Sequence, residues 1–234
     1  MIFSYSGRSV IAFLRSSFRR TAAASPVVVA FALSLCLAAT ASAAPAALTE
    51  APTILVIGDS LSAAYGLAKG QGWVDLLQKR LASEGLPYRV VNASISGDTT
   101  AGGRSRLPAL LTRHKPAIVV IELGGNDGLR GGSIASTRDN LSTMAKAAKA
   151  AGARPMLIGM KLPPNYGPAY TRQFENVFAE VAKAEGAPLV PFFFEGFGED
   201  ASAFQADRIH PNEATQARLL DNAWPTLERM LARR

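Results

Sequence analysis

The chain has 234 residues, 48% of them hydrophobic, a length that suits one domain and a composition too apolar for a disordered protein. Its formal charge of +7 is unevenly spread: residues 1–43 hold Arg8, Arg15, Arg19 and Arg20 and no acid, and taking those four from the 25 basic residues leaves 21 against 18 acids, a net of +3, which argues against a nucleic-acid partner. A single cysteine, Cys36, excludes an intrachain disulfide, and with only His114 and His210 as histidines the chain has little from which to build a metal centre.

The first feature in chain order is an address. The basic stretch ending at Arg20 is followed by an uncharged apolar run over 26–39 and then by Ala41-Ser42-Ala43. That is the layout of a secretory signal of the Sec type, cleaved after Ala43. The apolar run is short for a bilayer, which takes about 20 residues, so an uncleaved membrane anchor is the weaker alternative. Thr21-Ala22-Ala23 do not suit a twin-arginine signal after Arg19-Arg20, and Leu35 is too bulky for a lipoprotein site at Cys36. We therefore expect 1–43 to be removed, 44–51 to form a short leader and 52–234 to form one domain. The mature protein is expected in the periplasm or outside the cell, as a monomer with no lasting membrane insertion.

Strands and helices then alternate. Ile54-Leu55-Val56-Ile57 predicts a strand buried on both faces, ended by Gly58-Asp59-Ser60. Trp73, Leu76, Leu77 and Leu81 recur at helical spacing over 71–84, before Gly85. A second strand is expected over 89–93, a weaker helix over 99–113, and the clearest strand over 117–121, ended by Gly124-Gly125-Asn126-Asp127. Ile134, Leu141 and Ala148 mark a helix closed by Gly152, and 156–159 a fourth strand. Tyr170, Phe174, Val177, Phe178 and Val181 form the stripe of a long amphipathic helix. A fifth strand is expected over 189–194, ending in Phe192-Phe193-Phe194 in the core, with one ring free to line a pocket. A last helix is expected from Pro211, kinked or broken at Pro225. Such alternation predicts a parallel five-stranded sheet with helices on both faces, a three-layer α/β/α sandwich.

In an open sheet of this kind, sites form beyond the carboxyl ends of the strands. Four polar strings fall there: Gly58-Asp59-Ser60-Leu61-Ser62, Ser94-Ile95-Ser96-Gly97-Asp98, Gly124-Gly125-Asn126-Asp127 and Asp207-Arg208-Ile209-His210-Pro211. Together they hold the parts of an acyl-transfer site. A serine hydroxyl needs an adjacent base, and His210 can serve Ser60 with Asp207 accepting the imidazole Nδ1–H. A tetrahedral intermediate needs preorganised donors, which the N–H groups of Ser60 and Gly97 and the Asn126 amide can supply. Each string also has a plain structural reading: a helix cap at Ser60, turns at Gly97 and Asn126, a helix start at Pro211. Their joint occurrence after successive strands favours the catalytic one. His114, between Arg113 and Lys115, reads as a surface residue, and Arg104, Arg106, Arg113 and Lys115 as a solvated helix face, with attraction of anionic head groups as the lesser option.

These strings resemble the blocks of the SGNH, or GDSL, hydrolase superfamily through Ser60, Gly97, Asn126 and His210. The sequence lacks the Gly-x-Ser-x-Gly elbow of α/β-hydrolases. The longer strings Val91-Asn92-Ala93-Ser94-Ile95-Ser96-Gly97-Asp98-Thr99, Glu122-Leu123-Gly124-Gly125-Asn126-Asp127-Gly128-Leu129-Arg130-Gly131, Leu162-Pro163-Pro164-Asn165-Tyr166-Gly167 and Ile209-His210-Pro211-Asn212 are similar to bacterial periplasmic multifunctional esterases, described as thioesterase, lysophospholipase and arylesterase. The resemblance implies a flavodoxin-like strand order and a reaction with no cofactor or metal. It implies Ser60, Asp207 and His210 as the catalytic triad, and Ser60, Gly97 and Asn126 as the oxyanion hole. It further implies Leu129, Arg130, Leu162 and Tyr166 at the substrate, with a loop over 128–132 that moves over acyl chains and a second wall over 162–167. A small-molecule acyl ester or thioester is the expected substrate. A carbohydrate or peptidoglycan O-acetylesterase on the same fold stays open, as does a non-catalytic binding domain.

Overall fold

The four side chains of Ile54-Leu55-Val56-Ile57 are fully buried, as are those of Ile118 and Val119. Strands with no solvent face need cover on both sides, and the chain provides it. The structure, a computed structural model, describes residues 51–231. The expected signal over 1–43 and nearly all of the leader over 44–51 lie outside the described residues.

Strands β1 (Thr53–Gly58), β2 (Arg89–Asn92), β3 (Ile118–Glu122), β4 (Arg154–Ile158) and β5 (Leu189–Val190) form one parallel sheet in the order β2-β1-β3-β4-β5. This is the flavodoxin-like order. The helices are α1 (Trp73–Ser83), α2 (Thr100–His114), α3 (Gly125–Leu129), α4 (Ile134–Ala150), α5 (Pro168–Glu185) and α6 (Gln216–Glu228). α1 packs against α6, whereas α2 packs against α4 and α4 against α5, so two groups of helices enclose the sheet. The chain steps from β1 to β2 on one side and from β2 across to β3 on the other. The segments leaving β1 and β3 therefore diverge, which opens a crevice at the carboxyl edge. No helix of the described residues is long and apolar enough to cross a membrane.

Three expectations are corrected. The fifth strand stops at Val190 and does not reach Phe194. Pro191 has no N–H to donate, so the ladder is interrupted there, although Phe193 N–H still donates to Gly159 O at 2.9 Å. Phe193 is buried, while Phe192 and Phe194 are half-buried in the turn that follows. The last helix begins at Gln216, not Pro211. The segment around Pro211 is extended: Phe204 and Pro211 form an antiparallel bridge, and Gln205 N–H donates to His210 O at 2.8 Å. Finally, α6 runs through Pro225 without a break. Pro225 has no N–H for the Asp221 carbonyl, and both residues are exposed. Buried Leu219, Leu220, Ala223, Trp224 and Leu227 hold the opposite side of the helix in the core.

Candidate active site

The four polar strings meet at the carboxyl edge of the sheet. Ser60 follows the end of β1 and is half-buried. His210 comes to it from the other end of the domain, with Nε2 2.8 Å from Ser60 Oγ. His210 Nδ1 is 2.7 Å from Asp207 Oδ2. Asp207 Oδ1 accepts the N–H groups of Ile209 at 2.9 Å and His210 at 3.0 Å. Burial raises the Asp207 carboxyl, but the His210 N–H and imidazole, together with the Ile209 N–H, outweigh it and hold the group at about 2. It is therefore ionised wherever the protein is folded near neutral pH, which fixes Nδ1 as the donor and leaves Nε2 to accept from the serine. Tyr65, which sequence reasoning missed, lies over the imidazole with ring centroids 4.6 Å apart. A single tyrosine in a loop carries no pattern that could have signalled this.

Gly97 has φ +78° at the third position of a turn closed by Asp98 N–H donating to Ile95 O at 3.1 Å, a place where a side chain would be strained. Among the described residues neither the Ser60 nor the Gly97 N–H donates a hydrogen bond, so both remain available to a ligand. The Asn126 amide nitrogen is different. It donates to Asp59 Oδ2 at 3.1 Å and to Asp98 O at 3.0 Å, so both of its hydrogens have acceptors. Asp127 turns away and binds the start of α2, accepting from Thr100 N–H at 2.9 Å and Thr100 Oγ1 at 2.5 Å. The two residues of the Asn126-Asp127 pair thus reach back to two different strings, and they tie three strand ends together.

Arg106 does not lie on a solvated helix face. Its Nε donates to Asp98 Oδ2 at 2.7 Å, its Nη2 to Gly58 O at 3.3 Å, and its Nη1 to Ala93 O. With side chains 20% and 12% exposed, Arg106 and Asp98 clamp the exits of β1 and β2 from below. Arg104, Arg113 and Lys115 are exposed as expected, and His114 is half-buried in the last turn of α2. Arg106→Ala leaves Asp98 Oδ2 and the Ala93 carbonyl without this donor, while Asp98 Oδ1 keeps the Thr99 N–H at 2.9 Å and Gly58 O keeps the Ile95 N–H at 3.0 Å, so it should cost about 1–3 kcal/mol in equilibrium denaturant unfolding. A change below roughly 0.5 kcal/mol, the size of an ordinary surface substitution, would show that the clamp bears no strain.

An open groove of about 1200 Å³ starts at Ser60, Asn126 and His210. Leu129 and Leu162, two of the residues expected at the substrate, are among those that line it. Arg130 and Tyr166 are not among the residues that line it; each holds a backbone carbonyl of a neighbouring site loop. Arg130 Nη2 donates to Gly97 O at 3.1 Å, and the Tyr166 hydroxyl donates to Leu129 O at 3.0 Å. The segment over 128–132 is partly helical, since α3 runs to Leu129, and the Tyr170 hydroxyl holds Gly132 O at 2.8 Å. The far wall is aromatic: Phe192, Phe194, Phe197 and Phe204 face the groove. Phe194 contacts both Phe197 and Phe204, with centroids 5.5 Å apart in each case. Of these, Phe197 and Phe204 had no periodic signal in the sequence. Ile209, half exposed, forms the lip beside His210.

Residues 56–218 match the GDSL-like Lipase/Acylhydrolase family. The chain is 61% identical over 181 residues to Esterase TesA of Pseudomonas aeruginosa, covering 77% of this chain and 90% of that protein. It is 44% identical over 171 residues to thioesterase 1/protease 1/lysophospholipase L1 of Escherichia coli strain K12, covering 73% and 81%. Among solved structures, the psychrotrophic esterase EstA from Pseudoalteromonas sp., inhibited by monoethylphosphonate, aligns with a TM-score of 0.73 at 40% identity, over 76% of this chain and 97% of that one.

Proposed function

The chain belongs to the GDSL-like lipase/acylhydrolase family, it is a hydrolase of ester bonds, and from that premise we propose that it is an exported serine esterase that cleaves acyl esters and thioesters through an acyl-enzyme on Ser60. The observation that carries this reading is the continuous line from Ser60 Oγ through His210 to Asp207, with links of 2.8 and 2.7 Å. Ser60 Oγ attacks the acyl carbon while His210 Nε2 takes the hydroxyl proton. Asp207 remains ionised and stabilises the imidazolium. The oxyanion is received by the N–H groups of Ser60 and Gly97 and by the Asn126 amide, which shares one of its present hydrogen bonds to do so. His210 then gives its proton to the departing alcohol or thiol, which leaves the acyl group on Ser60. Water, deprotonated by the same imidazole, attacks that ester and frees the acid. No step calls for a metal or cofactor.

The groove supports a medium to long acyl group. Leu129, Leu162 and the aromatic wall of Phe192, Phe194, Phe197 and Phe204 offer apolar contact well beyond an acetyl group. The leaving group meets the open lip at Ile209, which suits thioesters, lysophospholipids and aryl esters alike. For nitrophenyl esters from two to sixteen carbons, each added methylene should raise kcat/KM up to about fourfold, from about 0.8 kcal/mol per buried methylene, until the groove is full. Strong preference for the acetyl ester, with good turnover of an acetylated sugar, would favour the O-acetylesterase instead.

Export follows from the basic stretch, the apolar run over 26–39 and Ala41-Ser42-Ala43. Mass spectrometry of protein recovered from the periplasm or medium should find a new N-terminus at or near Ala44. An intact precursor in the membrane fraction would favour the anchor.

A further inference from the structure

Behind Ser60 lie two carboxyl groups that the proposed chemistry does not use. Asp59 and Glu122 are 2% and 0% exposed, at the ends of β1 and β3, where Gly58 pairs with Glu122. Their hydrogen-bonding environments differ. Asp59 Oδ1 accepts the Leu61 N–H at 3.0 Å and Oδ2 accepts the Asn126 amide at 3.1 Å, so each oxygen has a donor. Glu122 is less evenly served: the Ser62 hydroxyl, the Ser62 N–H and the Asp59 N–H all favour its charged form, but none of them satisfies Oε1. The Ser62 hydroxyl reaches Oε2 at 2.7 Å, the Asp59 N–H is 3.4 Å away, and Oε1 is buried with no partner among the described residues.

The Trp73 indole N–H donates to Ser62 Oγ at 3.2 Å, and the same oxygen lies 2.7 Å from Glu122 Oε2. A hydroxyl oxygen has two lone pairs, so a neutral Glu122 can use that contact in either sense, accepting the Ser62 hydrogen or donating its own to Oγ. An ionised Glu122 would leave a bare buried oxygen beside a second carboxylate, a costly arrangement. Nearby charges do not relieve it. Asp98 adds to the repulsion, His210 eases it only at Asp59, and Arg106 is committed to Asp98 and to the Gly58 and Ala93 carbonyls.

We propose that Asp59 and Glu122 form a one-proton pair, in which Glu122 carries the proton and Asp59 carries the charge and positions the Asn126 amide at the oxyanion site. The inference rests on the reading of Asn126 as an oxyanion donor and deepens it. Asp59 is then a positioning residue, and Glu122 the neutral partner that lets it stay charged. Burial pushes Asp59 up to about 6 against the Leu61 and Asn126 donors, and pushes Glu122, with help from the Asp59 charge, well above the ordinary carboxyl range. At neutral pH this leaves the charge on Asp59. The pair also accounts for other letters of the first string. A Cβ at Gly58 would lie 2.7 Å from Glu122 Oε2 and 2.8 Å from Ser62, so only glycine leaves room for the pair, and Ser62 supplies its hydrogen bond.

Two measurements test this. The first compares the Tm of the wild type and Glu122→Gln from about pH 5 to 9. An unfolded glutamate loses its proton near 4.3, while folded Glu122 keeps it to higher pH. The folded protein then binds more protons, and its stability falls as pH rises through the window. Glutamine keeps the shape and cannot titrate, so its Tm advantage should widen with pH; a constant or shrinking gap overturns the pair. The second is a double-mutant cycle on kcat for a nitrophenyl ester. Asp59→Asn should lower kcat at least about tenfold with little change in KM, yet cost less than about threefold when Asn126 is already alanine. Equal losses in both backgrounds overturn the positioning role. Asn126→Ala by itself separates the two readings: full activity refutes the oxyanion role, whereas a large loss with additive Asp59→Asn refutes only the positioning by Asp59. Glu122→Gln should recover most of the kcat that Glu122→Ala loses, because neutrality and shape, not charge, are what Glu122 supplies. The Tm arm needs no Asp59 variant and stands if that variant fails to fold.

Discussion

Ser60→Ala should leave no more than about 10⁻³ of the wild-type rate on any acyl ester, with the fold intact. No other hydroxyl can take its place. Ser62, two residues on, is 1% exposed and its hydroxyl is engaged by Glu122 and Trp73. In the proposed mechanism no acyl-enzyme forms without Ser60 Oγ, and what would remain is direct attack by water in a groove that still carries the proposed oxyanion donors and His210. That residual activity is why the loss is bounded and not total. A fluorophosphonate should label the wild type at Ser60, located by peptide mass spectrometry, and should fail to label the variant. EstA, the related esterase described above, is itself inhibited by a phosphonate. Unchanged turnover in a Ser60→Ala variant with wild-type Tm would remove Ser60 from the mechanism.

Asn126→Ala should reduce kcat by about 10²–10³, or roughly 2.7–4 kcal/mol, with a smaller change in KM. The split follows from timing. The ground-state carbonyl needs little from the amide; the oxyanion, with a full charge in a groove walled by Leu129, Leu162 and phenylalanines, needs every donor it has. The N–H groups of Ser60 and Gly97 remain after the substitution, which keeps the effect short of complete loss. Steady-state kinetics over a range of ester concentrations separate the two parameters. A rise in KM at constant kcat would instead place Asn126 in substrate binding.

Much of the architecture was legible because its signals are local. The run Ile54-Leu55-Val56-Ile57 reads as a strand covered on both faces and is the buried β1, and the stripe of Tyr170, Phe174, Val177, Phe178 and Val181 appears in the structure as α5 with its last four members buried. The departures came where neighbours distant in sequence override a local preference. Pro211 is a good first residue for a helix, but the Ala203–Gln205 stretch draws the chain into a bridge, with Asn212 N–H donating to Ala203 O at 2.9 Å, and α6 starts later. Arg106 sits among polar neighbours in the sequence, and only the folded chain brings Asp98 and two carbonyls around it.

The sequence by itself determined which residue types exist for the chemistry and that they follow successive strands of a parallel sheet. Strand periodicity, glycine-rich exits and a Ser, a His and an Asp are all written in short stretches of chain. The tertiary structure alone decided how these groups are wired. It set Ser60 and His210, 150 positions apart, at 2.8 Å, placed Tyr65 on the imidazole, and turned both hydrogens of Asn126 toward Asp59 and Asp98. It also extended β3 to Glu122 and buried that residue beside Asp59, so that it becomes part of the charge balance behind the serine. The reason is physical: periodicity reports which side of an element is buried, but hydrogen-bond partners and the state of a buried proton depend on groups that only the closed fold brings within 3 Å or so of each other.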